Sequence, residues 1–305
     1  MTNSSQSEAD LRTGVVAGLA AYVFWGVFPV YFKLIDTVPP TEVLLHRIVW
    51  SIPVGAVILS LRSQWRELFE ALRRPRVLAW LTLSAFVISG NWFLYIWAVI
   101  NDRIFETSLG YYINPLIYVL AGVVFFRERL RRAQLAAVVL ATIGVLILTL
   151  QSGSLPWVSL SLAVLFTAYG VIRKQVAIGA MPGLFAETTL LFPMAFAGLV
   201  WLMLDQQAYF PAQDSTANVL LLLAGPFTVV PLLFFAVAAR RLSLTTVGFM
   251  QFLAPTLQFM TGLYYGEQLT AAHLVCFAFI WLAVALFSYD AILAGRRQRR
   301  ALENA

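Results

Sequence analysis

Two stretches decide how this chain is read: YYINPLIYVLAGVVFFRERL, residues 111–130, and QFLAPTLQFMTGLYYGEQL, residues 251–269. Tyr111, Pro115, Tyr118 and Gly122 of the first correspond to Gln251, Pro255, Gln258 and Gly262 of the second, each pair 140 residues apart. Glu128-x-Leu130 then matches Glu267-x-Leu269 after a one-residue slip. A weaker match joins Trp25-Gly26-Val27 to Tyr169-Gly170-Val171, and Glu42 to Glu187. The chain therefore reads as two homologous halves.

Composition says what the halves contain. Of 305 residues, 60% are apolar or aromatic and only 12% are charged, whereas roughly a quarter is charged in a soluble domain. Hydrophobic runs of roughly 20 residues are long enough to cross about 30 Å of hydrocarbon at about 1.5 Å per residue. They recur ten times, at 14–35, 41–61, 77–100, 107–126, 133–151, 156–172, 183–204, 217–239, 244–265 and 270–293, numbered here as spans 1 to 10. Residues 14–151 and 156–293 hold five spans each, with a linker at 152–155 and tails at 1–13 and 294–305. An odd number of crossings sends the second half into the membrane in the opposite sense. The expected fold is all-α, a polytopic membrane protein with ten transmembrane helices arranged as two inverted five-helix repeats. Such repeats recur in secondary transporters.

The net charge of +6 could suggest nucleic acid, but its distribution gives a better account. Eighteen of the 21 Lys and Arg residues fall on one set of alternate segments, including Arg73, Arg74, Arg131, Arg240 and the tail from Arg296 to Arg300. The opposite loops hold only Arg103, while Lys33 and Arg47 lie in spans. By the positive-inside rule both termini are expected in the cytoplasm, with a lipid bilayer and no nucleic acid as partner. The start MTNSSQSEADLR lacks a basic n-region, so the first run is kept as a spanning helix rather than a signal peptide. One cysteine, Cys276, and two histidines, His46 and His273, leave neither a disulfide frame nor a His-rich metal site. No G-x-x-x-x-G-K-[ST], H-E-x-x-H or G-x-S-x-G motif is present. ATP drive and enzyme readings therefore lack their parts, and no cofactor or metal is expected.

The matched prolines point to a path. Pro115 cannot bond the carbonyl of Tyr111, and Pro255 leaves that of Gln251 free, so spans 4 and 9 are expected to kink and expose backbone acceptors. Such acceptors are tolerated at depth only against protein or a wet cavity. Tyr111, Pro115 and Tyr118, with Asn114 beside them, and Gln251, Pro255 and Gln258 are expected to line the solute path. Asn91 and Tyr95 of span 3 share a face and join them, as do Trp25 of span 1 and Tyr169 of span 6. Spans 5 and 10 have almost no polar groups and are assigned to scaffold or homodimer contact. In RSQWRELFEALRRPR, Trp65, Leu68, Phe69 and Leu72 share one face, as expected of a helix on the cytoplasmic surface.

Span 2 carries charge where lipid would forbid it. At about 100° per residue from Glu42, His46 falls at about 40°, Trp50 at about 80° and Arg47 at about 140°; Leu44, Leu45, Ile48 and Ile52 fall between about 200° and 300°. The polar arc should face the bundle, because ionisable groups at membrane depth mark partners or pathways. Lys33, Glu42, His46 and Arg47 are read as an outer latch, and Arg173, Lys174 and Glu187 as an inner latch that alternates with it. Snorkelling is the bland alternative for Lys33, Arg173 and Lys174. His46 could couple protons or make a structural hydrogen bond.

The stretches AAYVFWGVFPVYFKLI, HRIVWS, GNWFLYIWAV, SLGYYINPLIYVLAG, YGVIRK, VGFMQFLAPTL and FAFIW together resemble the RarD family of EamA-type transporters, in the drug/metabolite transporter superfamily. That resemblance covers nearly the whole chain. It implies a ten-helix inner-membrane carrier whose central cavity is formed mainly by spans 1, 3, 4, 6, 8 and 9, with spans 5 and 10 peripheral. Related carriers export small metabolites, amino acids or drugs, and the family is commonly labelled for chloramphenicol sensitivity. A channel or membrane scaffold without alternating access stays open as the alternative.

Overall fold

A computed structural model describes residues 2–126, 131–211, 215–242 and 244–303. All regular elements among the described residues are helices. Span 1 is built from α1 (Thr2–Gly26) and α2 (Phe28–Lys33), and span 2 is α3 (Pro40–Leu61). The short α4 (Trp65–Leu72) precedes α5 (Pro75–Ile100), α6 (Ile104–Phe126) and α7 (Arg132–Ser152), which are spans 3 to 5. Spans 6 to 8 are α8 (Trp157–Lys174), α9 (Ala180–Leu204) and α10 (Ser215–Arg241). Span 9 is split into α11 (Leu244–Met250) and α12 (Leu253–Tyr264), and span 10 is α13 (Ala271–Glu303). Among the described residues, eight segments are long and apolar enough to cross a membrane. The two further spans are α6, whose 23 residues extend about 35 Å, and the split span 9.

The packing repeats itself when span n is exchanged for span n+5. Span 1 lies against span 8 and span 6 against span 3; span 2 meets span 8 as span 7 meets span 3; span 1 meets span 9 as span 6 meets span 4. The pairs 2 with 7, 4 with 9 and 5 with 10 map onto themselves. This is the symmetry expected of two five-span repeats.

The two proline-bearing spans behave differently. Span 9 breaks at Gln251 and Phe252, leaving Pro255 in the first turn of α12, where an amide donor is not needed. Span 4 runs through Pro115 as one helix. Leu109, Tyr112, Ile113 and Leu116 are buried there in one cluster with residues of α7, α8, α12 and α13. A break the prolines did not announce in the same way falls in span 1, where Val27 leaves helical geometry and Pro29 opens α2. The Glu128-x-Leu130 half of the repeat match lies outside the described residues.

Lipid tails are as apolar as leucine, so close packing rather than water exclusion must join the helices. In the pairing of α7 with α13, Ala137, Ala141 and Gly144 meet Cys276 and Ala283. A Cβ on Gly144 would stand 2.9 Å from that of Phe279. Leu135, Leu146 and Leu150 of α7 and Leu282 of α13 remain exposed on the outer face. Spans 5 and 10 thus stand at the periphery, and their small-residue faces are used up within the chain. α4 buries Leu68 and Ala71, stacks Trp65 on Phe69 and leaves Arg66 exposed, as are Arg73 and Arg74 just after it.

Candidate functional site

The buried cation of span 2 is Arg47. Its helix α3 presents Glu42, His46, Arg47 and Ser51 inward, as the polar arc required. Ile48 is buried as well, because Ala85, Leu191 and Ala195 of the neighbouring helices pack on it. Arg47 is 6% exposed, and its Nε donates to Thr228 Oγ1 of α10 at 2.8 Å. The guanidinium lies over Trp92 at 4.4 Å and Phe28 at 5.6 Å from the ring centroids, contacts in which an aromatic quadrupole supports a cation. Phe28, Tyr31, Phe32, Ala224 and Phe227 close around it as a mostly aromatic lining.

Span 3 supplies the wall behind this pocket. Asn91 Nδ2 donates to the Leu162 carbonyl at 3.1 Å, and Tyr111 Oη reaches Asn91 Oδ1 at 3.4 Å. The Tyr95 and Tyr111 rings lie 5.7 Å apart, while Tyr95 Oη is buried without a partner.

A second cluster surrounds Glu187 of α9, which is fully buried. Ser84 Oγ donates to Oε1 at 2.6 Å and Tyr169 Oη to Oε2 at 3.2 Å. Arg173 Nη1 stands 3.7 Å from Oε1, an ion pair rather than a hydrogen bond, and Nη2 donates to the Gly179 carbonyl at 3.2 Å. Gly179 N–H in turn donates to Glu67 Oε1 of α4, linking the surface helix to the cluster. Arg173 and Glu187 are therefore brought together as an inner latch requires, while Lys174 is exposed at the end of α8.

The four residues read as an outer latch are not one cluster. Lys33 pairs with Asp102 at 2.6 Å rather than with Glu42. Glu42 accepts the Tyr209 and Phe210 amides, both at 2.9 Å, and so ties α3 to the loop before α10. His46 Nδ1 accepts from Trp50 Nε1 at 2.9 Å, and its Nε2 is 3.9 Å from Glu42, too far for a hydrogen bond. Arg47 points past all three into the bundle. Helical spacing placed these side chains on one arc, but the loops that meet the arc separate their partners.

The same end carries a tie that sequence reading missed. Glu267, after α12, accepts the Phe105 amide with both oxygens, at 3.2 and 3.0 Å, and so caps the start of α6. Burial, against those amide bonds, lifts its carboxyl to about 7.

The remaining candidates divide between path and packing. Gln258 Nε2 donates to the Trp25 carbonyl at 3.2 Å, and its Oε1 is buried without a partner, as is Asn114 Oδ1. Tyr118 Oη reaches the Phe166 carbonyl at 3.4 Å. Trp25 packs against Tyr22 and Phe235. The Pro255 carbonyl accepts from Ser108 Oγ at 2.8 Å, which joins α12 to α6. Gln251 lies in the break between α11 and α12.

The structure also changes the repeat register of span 2. Arg47 and Glu187 each lie seven residues into their helix and six before its internal proline, Pro53 or Pro193. That is the same 140-residue offset as spans 4 and 9. It replaces the match of Glu42 with Glu187, and the proline pair was the signal that could have found it.

A membrane-embedded bundle of two repeats, with buried polar clusters inside and apolar side chains outside, defines a polytopic helical transport protein rather than an enzyme. The EamA-like transporter family matches residues 12–150. An uncharacterized transporter of Pseudomonas aeruginosa is 49% identical over 296 residues, 95% of this chain and 97% of that protein. Protein RarD of Escherichia coli K12 is 45% identical, covering 94% of this chain and 97% of its own length. The chloramphenicol-sensitive protein RarD of Pseudomonas aeruginosa is 33% identical over 94% and 97%. One solved crystal structure shares the fold with a TM-score of 0.60 at 18% identity, covering 90% of this chain and 96% of its own. The chain belongs to the RarD family of EamA-like transporters, multi-pass membrane proteins of the drug/metabolite transporter superfamily.

Proposed function

We propose that the protein is a secondary active exporter that moves small amphipathic metabolites or drugs across the inner membrane by alternating access, with both termini cytoplasmic. The observation that carries this reading is the pairing of Arg47 with Glu187. Repeat-equivalent positions hold opposite charges, each buried and each bonded to a hydroxyl of the neighbouring span, Thr228 or Ser84. In an inverted pair of repeats these positions lie toward opposite leaflets. Contacts at one can therefore loosen while those at the other hold, which is what alternating access needs.

Proton exchange is the coupling assigned, with Glu187 and His46 as the buried titratable groups. Glu42 and Glu267 ties close the outer end, and Arg173 with Glu187 closes the inner end. A homodimer contact, if made through spans 5 and 10, uses their exposed leucines. The name of the Pseudomonas relative makes chloramphenicol a test solute.

The test is efflux from proteoliposomes preloaded with chloramphenicol, amino acids and aromatic metabolites, read by mass spectrometry with and without a pH gradient. Saturable loss of one solute class, accelerated by the gradient and abolished by Tyr111→Ala, is expected. Non-saturating leak, or no flux, refutes the carrier.

A further inference from the structure

Arg47 is a buried cation without an anion. Among the described residues no carboxylate comes within 4.0 Å of it, and Thr228 is the only hydrogen-bond partner of its guanidinium. The nearest acid on its own helix, Glu42, has its two oxygens occupied by the Tyr209 and Phe210 amides. Thr228 is neutral, and its hydroxyl donates a hydrogen bond to the Ala224 carbonyl at 2.8 Å. The guanidinium presents five N–H donors in a planar fork, of which Nε alone is used.

Aromatic faces at 4.4 and 5.6 Å offset part of the cost of burying the charge. They do so without filling the fork. Cation–π contact leaves the in-plane N–H groups directed elsewhere, and an unpaired buried charge is retained in membrane helices chiefly where a partner or substrate meets it. The surroundings suit a ligand with an apolar body. Phe28, Tyr31, Phe32 and Phe227 line the pocket, and the unpartnered Tyr95 Oη offers a further donor to the same region.

We infer that Arg47 binds the carboxylate of the transported solute, so that the preferred substrates are organic anions with an aromatic or apolar body. This inference rests on the carrier reading above and names its substrate class. A bidentate carboxylate satisfies the fork and neutralises the charge at once, and a neutral solute of the same shape does neither.

The test uses full-length protein in lipid nanodiscs and a panel of aromatic and aliphatic acids, each beside its neutral amide, beginning with phenylacetate and phenylacetamide. Binding is followed by quenching of tryptophan fluorescence, since Trp92 lies directly under the guanidinium. At least one acid should bind about tenfold or more tightly than its amide, the scale of a charged hydrogen bond. Arg47→Gln should bring that ratio to about one. A panel in which no acid outbinds its amide overturns the inference from wild-type protein alone, whatever the variant does. So does a preference that survives Arg47→Gln. If saturable efflux of neutral solutes persists without an acid preference, the carrier reading stands and only the substrate class falls. If acids outbind their amides through Arg47 but no saturable flux is found, the carrier reading falls and Arg47 is left as an anion-binding site without transport.

Discussion

Replacing Glu187 with Gln tests the inner latch with almost no change in shape. The carboxylate is fully buried and holds Ser84 at 2.6 Å, Tyr169 at 3.2 Å and Arg173 at 3.7 Å. The amide oxygen of Gln keeps one hydroxyl bond, whereas the amide nitrogen must turn a donor toward either a hydroxyl or Arg173. Removing one partner of a buried pair costs about 3–5 kcal/mol. Arg173 is 15% exposed and keeps its bond to the Gly179 carbonyl, so about 2 kcal/mol is the better figure here. If that energy is specific to the state closed at the inner end, its loss shifts the inner-open to inner-closed ratio by about 30-fold.

The assay is maleimide labelling from each side of oriented vesicles. The background carries Cys276→Ser, because Cys276 is the chain's one cysteine. A Thr167→Cys sentinel on α8 reports the inner end, and an Ala224→Cys sentinel beside Arg47 reports the outer; both native residues are buried. Glu187→Gln should speed labelling at 167 from the inside by about tenfold or more and slow it at 224 from the outside. Unchanged rates at both sentinels, with unchanged efflux, refute the latch.

Gly225→Ala should lower thermal stability by about 1–3 kcal/mol, because an added Cβ would overlap the Trp50 carbonyl at the crossing of α3 and α10. Gly90→Ala, with nothing within 4 Å, should instead gain about 0.5–1 kcal/mol from helix propensity; melting curves in one detergent compare the two. Glu267, whose carboxyl burial lifts to about 7, makes the folded state bind a proton that the unfolded chain releases near pH 4.5. Its protonated form therefore supports stability fully below that value, and the support fades as pH rises through about 7. The free energy of unfolding should fall between pH 5 and 8 by an amount on the order of 1 kcal/mol after solvent screening, read as a lower melting temperature, and Glu267→Gln should flatten the profile. Glu42→Ala removes the acceptor for two amides and should cost about 1–3 kcal/mol, read as faster amide hydrogen exchange at Tyr209 and Phe210.

The sequence by itself determined the class of fold. Hydrophobic runs of membrane length, an odd number in each half and a constant 140-residue offset between Pro115 and Pro255 leave few arrangements other than inverted repeats. Those features are local or periodic, and periodicity survives in one dimension. The polar arc of span 2 was legible for the same reason: helical geometry fixes which side chains share a face before any neighbour arrives. The partners were not. Lys33 was read toward Glu42, nine residues on, but meets Asp102 across the bundle. Glu42 serves a loop that starts after α9, and Glu187 draws its closest hydroxyl from Ser84, 103 residues earlier. Nor could a wheel reveal that Arg47 lies over Trp92 with no carboxylate of the described residues in reach. Whether a proline breaks its helix also waited for the fold, since Pro115 and Pro255 are equivalent in sequence and differ in what surrounds them. Spacing along a chain fixes direction around one helix; only the packing of several helices decides which charge is answered and which is left for a ligand.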